Sequence, residues 1–275
     1  MREKEVHKVN EAQAEESTEK GSKLAAFFDL DGTLLPRPSL EHRLCRTLRY
    51  RKQIGARNYL AWFREALRLL PRGIGQVVNA NKGYLRGIRS AEQRALTIPR
   101  FFPEALRRAA WHAERGHQIV IVSGTLQPLA LRAARLLEAA LATRGIRSCV
   151  EVWATQLEEV AETWTGRTVG EAMFGEAKAR AIRQFGVSRG IALAGCFAYG
   201  DSTSDQWMFE AVGRPTAVNP ADDLARIALR NGWPVLWWNK AGNTAEKTKR
   251  SQKSWTAQMS GKEIQIAATN RECCR

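Results

Sequence analysis

The sequence predicts a doubly wound α/β fold, an open parallel sheet with helices on both faces and a small all-helical segment inserted after the first strand. Three observations carry this. Short apolar runs alternate with stretches of helical spacing. The runs are continuously apolar rather than alternating, which suits strands buried on both faces of a parallel sheet. One internal stretch breaks the alternation, contains no strand-like run and holds most of the chain's excess positive charge.

In chain order, the strand-like runs are "KLAAFFDL", "HQIVIVSG", "CVEVWA", "ALAGCFAYGD", "PTAV" and "WPVLWW". Between them, "FPEALRRAAWHAERG" and "QPLALRAARLLEAALATRG" have helical spacing, and each ends at a glycine, as a C-terminal cap requires. The inserted stretch reads as four short helices, "LEHRLCRTLRYRKQ", "RNYLAWFREALRLL", "GQVVNANKGYLRG" and "SAEQRALTIPRFF". The expected organisation is a core formed by residues 24–37 and 101–239 and a helical cap over 38–100. Placed after the first strand, such a cap lies above the carboxyl ends of the sheet, where open α/β sheets bind ligands. Residues 1–23 and 240–275 are polar without sustained periodicity and read as disordered or loosely helical tails.

Composition narrows the function classes. No apolar run approaches the roughly 18 residues of a membrane span. The first 23 residues lack the apolar stretch of a signal peptide. Five cysteines, odd in number and without metal-binding spacing, read as reduced thiols in a cytoplasmic protein. The net charge is +15, and residues 37–108 alone hold 17 Lys/Arg against 4 Glu. Non-specific polyanion binding at low salt follows from such a charge, and no specific nucleic-acid partner is expected. The basic cap has two readings. Either it is a solvated face whose apolar side, Trp62, Phe63, Leu67 and Leu70, packs inward as cap core, or it docks on an anionic membrane surface with Trp62 and Phe63 as interfacial anchors. In the second case the protein is peripheral on the inner membrane surface.

The chemistry is written at the strand ends. The first strand finishes with Asp29 and Asp31, the second with Ser123 and Gly124, and "FAYGDSTSD" gives Asp201 and Asp205. Lys178 opens a later helix. Crowded carboxylates disfavour each other's ionisation, so a positive charge belongs among them. Such acids suit a hard divalent cation with oxygen ligands, Mg2+, and Lys178 adds a second positive group. A phosphate fits the remaining space, held by the metal, Lys178, the Ser123 hydroxyl and loop N–H groups. One aspartate can attack phosphorus while its neighbour serves as acid and base. His42, His112 and His117 lack metal spacing, and none of the four histidines is a candidate.

In this order, "DLDGT", "SGT", Lys178 and "GDSTSD" resemble the four motifs of the haloacid dehalogenase (HAD) superfamily, over residues 24–239. The helical insert resembles the cap of the phosphoserine phosphatase-like branch. "DLDGTLLPRPSLEHRL" together with "VNPADDLARIALRNGWPVLWW" resembles the bacterial subfamily IB hydrolases. The resemblance implies a Rossmann-like core and a Mg2+-dependent phosphomonoester hydrolase acting on a small or lipid-linked phosphate ester. It implies Asp29 as the nucleophile that forms an aspartyl-phosphate and Asp31 as the general acid/base. Mg2+ would be held by the Asp29 carboxylate, the Asp31 backbone carbonyl and Asp201. Ser123, Gly124 and Lys178 would bind phosphate, and Asp205 would support the metal shell and Lys178. Phosphoserine itself does not follow, because Pro38 stands where phosphoserine phosphatases carry an amine-reading glutamate, and the nearest acid is Glu41. A dehalogenase of the same fold lacks the second aspartate, so Asp31 argues against it. The remaining alternative is a non-catalytic module binding anionic lipid or nucleic acid on this scaffold, and the joint presence of Asp29, Asp31, Lys178 and Asp201 disfavours it.

Overall fold

A computed structural model describes residues 24–238. The polar tails expected over 1–23 and 240–275 lie outside the described residues. Six strands form one parallel sheet: β1 (Ala25–Phe28), β2 (Gln118–Leu126), β3 (Val150–Thr155), β6 (Phe197–Gly200), β7 (Arg214–Val218) and β8 (Val235–Leu236). Their order is β3-β2-β1-β6-β7-β8. The chain winds outward from β1 to one edge and then from β6 to the other, so β1 and β6 meet at the topological switch point. Both partners of that pair run parallel, with Phe28 opposite Tyr199.

Burial on both faces explains the unbroken apolar runs. Successive side chains of a strand point to opposite faces. Ala26, Phe28, Ile119 and Ile121 therefore pack under α4 (Pro103–Glu114) and α5 (Gln127–Ala142). Ala25, Phe27, Val120 and Val122 face α6 (Glu176–Arg189), α7 (Gln206–Glu210) and α8 (Asp222–Arg230). Inside the first layer, His112 of α4 is fully buried, with Nδ1 2.9 Å from His117 Nδ1 and Nε2 3.0 Å from the Tyr199 hydroxyl. Burial first, and then the charges of His117, Arg108 and Arg115, push its pKa down to about 2. It is a neutral core histidine.

Between β1 and α4 lie α1 (Leu40–Tyr50), α2 (Ala56–Leu69), α3 (Ile74–Asn79) and three short 3-10 turns. Two of the four expected helices are much shorter than their spacing suggests. The third stops at Asn79, because the Asn81 side chain takes the backbone as partner, donating to Trp62 O at 2.9 Å and accepting from Gly83 N at 3.0 Å. The fourth is a 3-10 turn over Ser90–Ala95. Pro99 bars a helix from continuing through the residues before it.

A second sheet, read as neither strand nor helix from the sequence, is the antiparallel hairpin β4 (Leu157–Val160) and β5 (Thr163–Thr168). Its two-residue turn places Ala161 and Glu162 at φ 47° and 58°, the left-handed pair that tight hairpins require. The hairpin joins the insert rather than the main sheet. Gly87 N donates to Trp164 O at 2.8 Å, Trp164 N to Ile88 O at 2.9 Å, and Ser90 N to Glu162 O at 2.8 Å. Trp164 is buried in the same apolar cluster as Leu85, Ile88 and Leu96.

The structure corrects the expectation that Trp62, Phe63, Leu67 and Leu70 form cap core: they are 39%, 54%, 56% and 55% exposed. The buried residues of α2 are instead Asn58 and Leu69. Asn58 holds the helix in place, its amide donating to Tyr84 O at 3.1 Å and Arg86 O at 2.8 Å. No helix among the described residues is long and apolar enough to cross a membrane. Cys45, Cys149 and Cys196 carry free thiols.

Candidate active site

Six of the seven site residues expected at the sheet edge line one cleft, and Asp205 stands behind it. Asp29, Asp31, Ser123, Gly124, Lys178 and Asp201 all line a cavity of about 710 Å³ at the carboxyl ends of the strands. Asp29 directly follows β1, and its N–H continues the ladder to Tyr199 O at 2.8 Å. Gly32 then turns the chain at φ +100°, with the Asp201 carboxylate packed where a side chain would stand. That close approach needs a residue without Cβ. Asp201 follows β6, across the switch point from Asp29. Its backbone carbonyl accepts from Ala221 N at 3.0 Å.

Lys178 is the electrostatic centre. Its buried ammonium lies 2.7 Å from Asp29 Oδ1 and 2.6 Å from Asp205 Oδ1. Burial opposes its charge, but Asp205 and Asp29 outweigh that and hold its pKa above the ordinary lysine value. The second oxygen of Asp205 accepts from Asp201 N at 3.1 Å, Ser202 N at 3.0 Å and Ser202 Oγ at 3.0 Å. With both oxygens engaged, Asp205 is a brace for Lys178 and for the loop after β6.

The remaining acids are short of positive charge. Burial, with the Asp205 charge adding and Lys178 opposing, raises the Asp29 pKa to about 6. Burial and the Asp29 charge raise Asp31 to about 7, against the N–H of Leu40. Burial, then Asp29 and Asp205, raise Asp201 to about 8, although Arg37 opposes. Oxygens of Asp29, Asp201 and Asp205 lie within 4.8 Å of one another. A buried, all-oxygen, mutually repelling donor set fits a hard divalent cation.

Several lining residues carried no sequence signal. Arg37, on the way into the cap, places Nε 2.8 Å and a terminal nitrogen 2.6 Å from Asp201 Oδ2. From the cap side, Glu41, His42 and Lys82 face the cleft. Lys82 binds both Glu41 oxygens at 2.7 and 2.8 Å, and the Tyr84 hydroxyl donates to Glu41 as well. Glu41 and Lys82 are 41 residues apart, so only the fold pairs them. Thr125, inside the "SGT" stretch, also lines the cleft, and its buried hydroxyl has no protein partner.

A family model described as haloacid dehalogenase-like hydrolase matches residues 26–210. The chain belongs to this family. It is 31% identical over 243 residues to a probable phosphatase of Mycobacterium tuberculosis, covering 80% of this chain and 77% of that one. It is 29% identical over 233 residues to a phosphoserine phosphatase of the same organism, covering 77% and 70%. Among solved structures, a Bordetella pertussis protein of unknown function aligns with a TM-score of 0.61 at 26% identity, covering 78% of this chain and 98% of that one. A phosphoserine phosphatase captured as a phospho-aspartyl intermediate analogue shares the fold, with a TM-score of 0.53 at 17% identity, 78% and 93% covered. By family, this HAD-like hydrolase is a phosphatase-like enzyme with a Rossmann-like α/β core.

Proposed function

We propose that this HAD-like enzyme is a Mg2+-dependent phosphomonoester hydrolase working through an aspartyl-phosphate on Asp29. The observation that carries the reading is the placement of Lys178 between Asp29 and Asp205, in one cleft with Asp31 and Ser123. Asp29 attacks phosphorus, and the bond to the leaving oxygen breaks as Asp31 delivers its proton to that oxygen. Asp31 then takes a proton from water, whose oxygen attacks the phosphorus, releasing inorganic phosphate and freeing Asp29. The raised pKa of Asp31 suits both directions, because a group near the working pH serves as acid and then as base.

Phosphate oxygens would be held by Lys178, the Ser123 hydroxyl, the Gly124 loop and the unpartnered Thr125 hydroxyl. The Asp29 and Asp201 carboxylates and the Asp31 backbone carbonyl would hold Mg2+, with Asp205 supporting from behind. When bound, the cation supplies charge neutralisation for the anionic ester and its transition state. The substrate is a phosphate ester, small or lipid-linked, and the place of action is the cytoplasm. Phosphoserine is disfavoured, since Glu41, the cap acid that lines the cleft among the described residues, is already neutralised by Lys82. A panel of phosphomonoesters assayed with and without Mg2+ tests the reading, and release of phosphate from none of them would overturn it.

A further inference from the structure

The insert presents a surface that the cleft chemistry leaves unused. Along α2, Leu60, Phe63 and Leu67 recur three and four residues apart, and all three are more than half exposed. Leu70 and Ile74 continue the exposed apolar run past the end of the helix. An apolar stripe that normally faces a core here faces outward. Beside it on the same helix run Arg57, Arg64 and Arg68, all exposed.

Next to the stripe, α2 and the hairpin enclose a cationic notch of about 380 Å³. Four arginines line it, Arg64 and Arg68 from α2, Arg86 from the following turn and Arg167 from β5, against the single acid Glu65. Glu65 pairs with Arg68 at 2.9 Å, leaving the notch strongly positive. The notch exists because Gly83 packs on the α2 backbone, where a Cβ would come within 2.8 Å of Trp62 Cα.

We infer that α2 and this notch form a docking surface for an anionic lipid bilayer, the apolar stripe entering the interface and the arginines receiving lipid phosphates. Apolar side chains alone would fit a second protein copy equally well. The charge decides between them: two copies of a surface this basic repel, whereas an anionic bilayer complements both halves of it. The position is apt for a phosphatase, because Lys82 lines the catalytic cleft and Gly83, the next residue, lines the notch. That link to turnover rests on the proposed function, while docking itself rests on the surface alone.

The test is sedimentation of the full chain with vesicles of phosphatidylcholine plus phosphatidylserine, and of phosphatidylcholine alone, at low salt and at roughly 0.5 M salt, where surface charges are screened. Binding should be confined to the anionic vesicles and fall at high salt. Arg64→Gln with Arg68→Gln should weaken it about 25-fold, about fivefold for each basic side chain removed. Leu60→Ser, Phe63→Ser and Leu67→Ser together should weaken it about tenfold or more. Because these side chains are exposed, the thermal midpoint and hydrolysis of a soluble aryl phosphate should stay unchanged. Three results would overturn the inference: equal binding to neutral vesicles, undiminished binding by the triple serine variant, or a wild-type dimer in analytical ultracentrifugation that the serine substitutions dissociate. A chain that binds vesicles but hydrolyses no phosphate ester would sink the proposed function and leave docking standing.

Discussion

The Asp31 carboxylate accepts a hydrogen bond from the backbone N–H of Leu40 at 2.9 Å. Leu40 is the first residue of α1, so the proposed acid/base is held by the end of a cap helix, where the helix dipole also favours its negative form. The cap thus sets the orientation of the group proposed to move protons. Asp31→Asn keeps an acceptor for Leu40 but cannot give or take the proton. The rate with an alkyl phosphate should fall about 10²–10⁴-fold, and less with an activated aryl phosphate. Steady-state rates on the two esters check this, and equal losses would refute the acid/base role.

Asp29→Asn should abolish turnover. Uncatalysed phosphate-monoester hydrolysis is slow enough that catalysis of up to ~10²¹-fold is known, so no background can mask the loss. Beryllium fluoride, a mimic of the phosphorylated aspartate, should raise the melting temperature of wild type and leave Asp29→Asn unmoved.

Lys178→Met leaves Asp29 and Asp205 buried with no ammonium between them. Removing one partner of a buried ion pair typically costs about 3–5 kcal/mol. Urea denaturation should show a loss of that size, and a change below about 1 kcal/mol would mean the site reorganises without its lysine.

Mg2+ should stabilise the folded chain by mass action, by about 2.7 kcal/mol at a hundredfold excess over its dissociation constant. Asp201→Asn should lose most of that gain while melting normally in chelator. A full Mg2+ shift in that variant would remove Asp201 from the ligand set.

His112 gives the protein an acid-side weakness unrelated to catalysis. Its folded pKa, near 2, lies below the ordinary value of 6.5, so between those limits the unfolded chain binds a proton that the folded chain refuses. The His112 contribution to stability is therefore intact above about pH 6.5 and lost progressively as pH falls, by about 2 kcal/mol between pH 7 and 5, while the raised carboxyls of Asp29, Asp31 and Asp201 act in the opposite sense. His112→Gln should therefore gain stability relative to wild type by about that amount on going from pH 7 to 5. Parallel urea titrations at the two pH values would show it.

The strand ends were legible because Asp29 and Asp201 each directly follow a buried apolar strand and Ser123 lies near the end of another. Asp29, Ser123 and Asp201 needed only chain order and strand length to be placed together. The β4–β5 hairpin escaped notice because its turn, Ala161-Glu162, lacks the Asn or Gly that advertises positive φ. Glu41, Lys82 and Tyr84 meet only through the folded cap. The face of α2 misled for a plainer reason: helical spacing reveals an apolar stripe but not what covers it.

The stitching of β5 to the insert fixes an order of events during synthesis. Trp164 completes the packing around Leu85 and Ile88, yet it lies about seventy-five residues downstream of them. The ribosome has made β1, β2 and β3 before the strand that finishes the cap leaves the exit tunnel. The insert must wait, with its apolar side uncovered, while the sheet beneath it assembles. A nascent chain arrested before Thr163 should therefore hold an unfinished cap that chaperones can recognise, and one arrested well past Thr168 should not.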